Sequence, residues 1–298
     1  MIEEIKITSL TGRGSVTMRT RDYKAYWLGP VDWGQVHGDH QAYEYYNQVG
    51  QKIVGTKVGG RGLSITGWVV DGGTGDLRQR CDFLNAFISP VEDYTLEYEG
   101  RKIQFRPDDS IGYSSEYRKN NRLVRQFIIT ATMPYPLFSD AQNTASAFDS
   151  SGKLFRFPQN FGRTAPVVFG SQKKTYSVEV HNAGGFQTGM LIKLRFSGEV
   201  QNPRIKNLTT EGMAGVRRTF NRGESLEIDT TPGKKKMLLT TAGGKAQIIL
   251  KYRDVNTTWR KMLLAPGRNL LALDCDDLNQ RDAMSVTVYY TPLYLEVE

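Results

Sequence analysis

Apolar and polar side chains alternate from Arg122 to Met133. Leu123, Phe127, Ile129, Ala131 and Met133 fall on one face, and Val124, Gln126, Ile128, Thr130 and Thr132 on the other. That period of two predicts a long strand with one face in a core. Pro134 and Pro136 follow, and neither can donate a ladder hydrogen bond, so the sheet is predicted to end there. A polar, small-residue run then extends from Ser139 to Ser151. The pattern therefore divides the chain into a module at 1–138, a linker at 139–152 and a second module at 153–298.

In the first module, Ile5 and Ile7 begin a strand that Gly12 and Gly14 end. An aromatic stretch from Tyr23 to Trp33 follows, with Gly29-Pro30 read as a turn. Periodicity fails from Gly34 to Gly62, which predicts an extended loop with one short strand at most. Loops of that length usually bind something. Leu63, Ile65 and Val69 mark the next strand. One helix is predicted, with Leu77, Cys81, Leu84 and Ile88 at helical spacing and Phe83 and Phe87 widening the stripe. Thr74 or Asp76 is placed to cap it, and Pro90 to stop it. Two hairpins complete the module, one turning at Glu99-Gly100 and one, from Ile111 to Met133, at Asn120-Asn121.

The second module is almost all strand. Alternation marks Tyr176–Val180, Met190–Phe196, Met237–Thr241, Gln247–Tyr252, Leu270–Leu273 and Val286–Tyr290, with a short segment at Leu226–Ile228. Short strands split by Gly-rich turns predict an antiparallel sandwich. The fold class is mainly β, with no strand–helix alternation to suggest a parallel sheet.

Length, 298 residues, agrees with two domains, and no apolar run reaches the roughly 18–20 residues of a membrane helix. Met1–Ile5 is acidic and lacks the apolar core of a secretion signal. Two cysteines, Cys81 and Cys275, do not make a disulfide framework, which points to folding in a reducing cytoplasm. The net charge of +8 permits an acidic partner or nucleic acid. The basic residues are dispersed, however, and their densest clusters, Arg118-Lys119-Asn120-Asn121-Arg122, Arg217-Arg218 and Lys234-Lys235-Lys236, all sit at turns.

Catalytic patterns are weak. His37 and His40 have no Cys or Glu beside them to complete a metal set, and His181 is distant in sequence. Gly72-Gly73-Thr74-Gly75-Asp76 lacks the Gly-Lys-Ser/Thr ending of a phosphate loop, and Asp76 would repel phosphate. The acidic run Asp274–Asp282 lacks the Gly and Glu of a calcium loop. Asp108-Asp109 are adjacent, whereas paired glycosidase acids come from separate strands. No enzyme, metal site or cofactor site is read from these residues.

The first module resembles the N-terminal domain of phage distal tail proteins. The matching features are Gly60–Gly67 before a strand, the lone helix from Leu77 to Pro90, Tyr94–Arg101, and Phe127–Thr132 running into Pro134-Tyr135-Pro136. The second module resembles the galectin-like domain of the same family, at Phe155–Pro158, Val180–Gly184, Phe196–Gly198, Asn202–Asn207, Gly223–Thr230, Pro266–Asn269 and Tyr289–Pro292. The resemblance implies a split-barrel-like ring domain with one helix, then a galectin-like β-sandwich. It further implies a homo-oligomeric ring, usually of six subunits, at the virion tail tip, assembled in the bacterial cytoplasm. One face would meet the tail tube protein and the other the tail-tip or hub protein, and the sandwich domains would hold receptor-binding or peripheral baseplate proteins. DNA would meet the protein only in passage, with no membrane insertion. The candidate interface residues are Tyr43, Tyr45 and Tyr46 in the irregular segment, and Arg118, Lys119 and Arg122 at the tip of the Ile111–Met133 hairpin, the candidate arm. The competing reading is a carbohydrate-binding host-recognition protein acting through the second module, although Trp259 lacks the acidic and basic neighbours of a galectin sugar site.

Overall fold

The structure is a computed structural model that describes residues 3–21, 25–47, 49–73, 75–140, 144–149 and 176–296. The predicted cap Thr74, the aromatic start at Tyr23, the resemblance at Phe155–Pro158 and the expected opening near residue 153 lie outside those residues. Two compact units form, Met1–Ala141 with Tyr294–Glu298, and Gln142–Leu293. The chain thus enters the second unit and returns to the first. Where it is described, the predicted linker carries strands.

The first unit contains β1 (Glu4–Ser9), β2 (Ser15–Arg19), β3 (Tyr26–Asp32), β4 (Gly38–Glu44), β5 (Gln51–Val58), β6 (Arg61–Val70), α1 (Leu77–Phe87), β7 (Tyr94–Tyr98), β8 (Arg101–Pro107), β9 (Gly112–Tyr113), β10 (Val124–Met133) and β11 (Phe138–Asp140). The hydrogen-bonded order β8-β7-β1-β2-β3-β6-β10 closes on itself through β10 and β8, making a seven-stranded barrel. Closure removes the free edges of those strands. Pairing is antiparallel except for a single parallel step, Arg19 beside Trp27. Ile5, Ile7, Ile65, Phe105, Phe127 and Ile129 fill the interior, and α1 adds Leu77, Cys81, Leu84 and Phe87.

Several local expectations hold for visible reasons. Glu99 and Gly100 both have positive φ, the primed turn that matches strand twist. Gly12 and Gly14, with φ of 85° and 106°, turn the chain between β1 and β2. Others need correction. Gly29-Pro30 is no turn: it lies inside β3 at a bulge between Leu28 and Val31, where the missing proline N–H costs no ladder bond. Asp76 occupies the helix N-cap without capping, because Arg80 takes its carboxylate at 2.7 Å. Phe83 is half exposed, outside the buried stripe. Asn120-Asn121 turns without left-handed backbone. The Asn121 side chain instead accepts from the N–H groups of Leu123 and Val124.

The second unit contains β12 (Thr144–Asp149), β13 (Ser177–Asn182), β14 (Met190–Phe196), β15 (Val200–Gln201), β16 (Arg204–Asn207), β17 (Gly212–Gly215), β18 (Thr219–Phe220), β19 (Ser225–Asp229), β20 (Lys236–Thr240), β21 (Ala246–Ile248), β22 (Gly267–Asp274) and β23 (Met284–Tyr290). The short strand β24 (Leu293–Tyr294) leads back and joins the first unit's sheet beside β11. A six-stranded sheet, β12-β23-β14-β19-β20-β21, and a four-stranded sheet, β13-β22-β16-β17, supply one core. Ile192, Leu194, Leu226, Ile228, Val286 and Val288 enter it from the larger sheet, and Val180, Ile205, Leu271 and Leu273 from the smaller. This is the antiparallel sandwich that the alternation predicted. The predicted strand Gln247–Tyr252 is shorter than expected, ending at Ile248 before a 3-10 turn over Leu250–Tyr252.

Candidate assembly surfaces

The segment 34–62, predicted as a loop, contains a two-stranded hairpin. β4 and β5 pair from Gly38–Val58 to Glu44–Gln51 and contribute no side chain to the barrel core. Asn47 and Gly50 turn the chain with φ of 65° and 100°. A bulge sets Val54 opposite no single partner between Gln41 and Ala42, which shifts the alternation and hides the strand from a period-two reading.

Tyr43 lies on β4, and Tyr45 and Tyr46 follow it. The rings of Tyr43 and Tyr45 meet edge to face, with centroids 5.1 Å apart. Tyr46 is 95 % exposed. Sequence reasoning missed the other apolar residues of this hairpin: Ile53 is 58 % and Val54 69 % exposed, and Val49 and Val58 are exposed as well. The adjacent Ile53-Val54 pair within a β-branched run was the available signal. A two-stranded ribbon without a core of its own is marginal in water. Apolar side chains along it mark a surface built to be covered.

Arg118, Lys119 and Arg122 are exposed on the loop between β9 and β10. Lys119 pairs with Glu116 at 3.0 Å. Tyr117 and Leu123, also exposed, flank the trio. This loop is not the tip of an arm. β10 is built into the barrel wall along its whole length against β6, so the free-standing hairpin is β4–β5. The tyrosines and the basic trio sit on different elements.

The residues weighed for catalysis are engaged elsewhere. Asp274 pairs with Lys206 at 2.6 Å and Arg281 at 2.8 Å, and Asp276 with Arg204 at 2.6 Å. Burial alone would raise the Asp274 carboxyl, but those two cations outweigh it and hold the group below its ordinary range. Asp277 accepts from the Asn279 N–H and so caps a 3-10 turn. His40 bonds Thr56 across the β4–β5 hairpin, and His37 and His181 are exposed. Asp108 accepts from the Thr132 hydroxyl. The Asp71 carboxylate, between β6 and α1, accepts from the Gly75 N–H at 3.1 Å. Cys81 and Cys275 are buried free thiols, and burial pushes both up. Trp259 packs partly against the sandwich core. Among the described residues no three His, Cys, Asp or Glu side chains gather as a metal site, and no helix is long and apolar enough to cross a membrane.

Charge divides sharply between the units. The first holds 17 Lys and Arg against 19 Asp and Glu, a net charge of −2, and the second holds 22 against 12, a net charge of +10. The whole excess of positive charge therefore belongs to the sandwich unit.

Comparison with known proteins agrees with this architecture. Residues 183–294 match the family described as siphovirus-type tail component, C-terminal domain. The fold matches the crystal structure of the SPP1 Dit (gp 19.1) protein, described as a paradigm of the hub adsorption apparatus in phages infecting Gram-positive hosts. The TM-score is 0.67 at 15% identity, over 98% of this chain and 99% of that one. A chain of the phage P2 baseplate in its activated conformation with calcium matches with a TM-score of 0.50 at 10% identity, over 98% of each chain. No curated protein sequence matches significantly. The likeness to distal tail proteins read from the sequence is thus met by the fold over nearly the whole chain and by the family match over residues 183–294.

Proposed function

We infer that this protein is a structural hub of a phage tail tip or baseplate. Copies close into a ring, six by analogy with the resemblance, that joins the tail tube to the tail-tip protein, while the sandwich unit holds peripheral or receptor-binding proteins. The observation that carries this reading is the β4–β5 arm, a coreless ribbon of exposed Tyr, Ile and Val beside a closed barrel. A ring needs two different complementary surfaces on each subunit. A closed barrel offers few free edges, so a projecting ribbon is the economical second surface.

The charge division supports the same assignment. A basic lumen would hold DNA phosphates through counterion release. A barrel unit with net charge of −2 has no such excess to offer a channel.

Negative-stain imaging and native mass measurement of the purified protein, alone and with its tube protein, test the reading. Rings, and the presence of this chain at the tip of purified tails, are the expected results. Tails that lack the chain would overturn it.

A further inference from the structure

β21 ends the six-stranded sheet and has no strand on its outer side among the described residues. Two bonds fix the phase of its ladder: Thr241 N–H to Lys245 O and Ile249 N–H to Met237 O, each 2.9 Å. Lys245, Gln247 and Ile249 therefore turn their backbone groups toward β20, and Ala246 and Ile248 turn theirs outward. Ile248 is 66 % exposed, and Leu250 and Tyr252 beyond it are also exposed. Lysines surround this strip. Lys245 precedes β21, Lys251 lies over the Tyr252 ring at 5.0 Å, and Lys234, Lys235 and Lys236 lead into β20 at the same end of the hairpin as Ile249. Among the described residues none of the five makes an ion pair.

We propose that the outer edge of β21 docks an extended acidic segment of a partner protein, which adds to the sheet as a further strand. Outward N–H and C=O groups of Ala246 and Ile248 supply main-chain bonds, Ile248 and Leu250 supply apolar contact, and the lysines select carboxylates. Lysine beside an edge strand is also a common guard against self-pairing. Here the two roles agree: a second copy of the same edge would set lysine against lysine, whereas an acidic strand is attracted. The docked segment deepens the hub reading, on which it relies only for the presence of partner proteins.

Zero-length carbodiimide coupling joins an amine to a carboxylate in contact with it. Applied to purified tails and followed by mass spectrometry, it should link Lys245, Lys251 or Lys234–Lys236 to Asp or Glu of another protein. Lys234→Glu combined with Lys235→Glu and Lys251→Glu should weaken capture of that protein at least tenfold. Ile248→Pro removes only an outward N–H and should do the same with thermal stability retained, whereas Ile248→Thr, which keeps the N–H, should lose much less. Tails that contain the chain but link these lysines only to its own carboxylates, or to none, overturn the docking edge and leave the hub standing. Unchanged capture by the triple Lys→Glu variant, or its replacement by salt-sensitive binding to DNA, overturns it too. Tails without the chain overturn the hub reading, and the docking edge with it.

Discussion

Replacing Tyr46 and Val54 together by serine separates assembly from folding. Tyr46 is 95 % and Val54 69 % exposed, and neither side chain reaches the barrel core. The isolated subunit therefore has almost no buried area to lose, and exposed substitutions of this kind fall within about 0.5 kcal/mol. For a unit of this size that is roughly 2 °C in Tm or less. Assembly behaves differently. A buried tyrosine covers about 150–250 Å², which at about 25 cal/mol per Å² is about 4–6 kcal/mol before the costs of association. An interface anchor typically loses about 2 kcal/mol on truncation. Two such losses weaken subunit association by about a thousandfold. Sedimentation velocity across a concentration series, with calorimetry on the same samples, reads both quantities. Rings that persist at wild-type concentrations refute the arm as a contact. A Tm lowered by many degrees refutes the claim that the arm carries no folding energy.

Asp254 is only 2 % exposed at its side chain and sits near Arg204 at 3.3 Å and Arg217 at 3.7 Å. Asp254→Ala should destabilise the sandwich by about 1–3 kcal/mol, because it removes a buried carboxylate that accepts from the Asn256 N–H and from Arg204; denaturant unfolding measures this. Burial would raise that carboxyl, but the Asn256 N–H and the two arginines outweigh it and hold the group below its ordinary 3.8. Its contribution is therefore present above pH 4 and lost as the pH falls through the lower folded value, so Asp254→Asn should flatten stability in that acid range. Burial pushes the Tyr26 phenol up to about 12, while its hydroxyl donates to the Arg80 carbonyl at 3.1 Å. A raised folded value means that this stabilisation is complete below pH 10 and disappears as pH rises through 12. Phenolate absorbance should accordingly rise together with barrel unfolding, and early titration of Tyr26 in the folded state would contradict the burial. Arg61, 3 % exposed over the Phe138 ring, bonds the Leu295 carbonyl at 3.2 Å and leaves two nitrogens without acceptors among the described residues. Arg61→Met should leave Tm unchanged or raise it, since a buried cation so poorly satisfied costs more than an apolar replacement. A loss above about 2 kcal/mol would show that the charge is answered.

Elements that bury one face were legible because burial writes a period into the sequence. β10 shows it from Phe127 to Met133, and α1 shows it at Leu77, Cys81 and Leu84. Leu123, on the same parity as Phe127, lies beyond the strand and is exposed, since alternation alone does not say where pairing begins. The β4–β5 arm was illegible for the opposite reason: neither face meets a core, so no solvent-facing period contrasts with a buried one. The tyrosines were visible as a composition signal, whereas Ile53 and Val54 offered only an adjacent β-branched pair whose phase the bulge breaks. Tertiary closure was hidden as well. Nothing local in Ala131 or Pro107 announces that they pair and shut the barrel.

The charge division was legible in part: a cut at residue 138 leaves 17 basic and 16 acidic residues before it and 22 and 15 after it, and only Asp140, Glu296 and Glu298 change sides when the units are drawn as folded. A boundary drawn once, near residue 138, separates the chain at a single point, whereas the sandwich is entered at 142 and left at 293. Such an insertion ties the last strand, β24, to the first unit's sheet, where Arg101 lies over the Tyr294 ring at 4.1 Å and Arg61 bonds the Leu295 carbonyl. The chain therefore passes between the two units twice, once near residue 141 and once near residue 293. The excess of positive charge is thus carried by the inserted unit's own residues and not by those of the barrel unit.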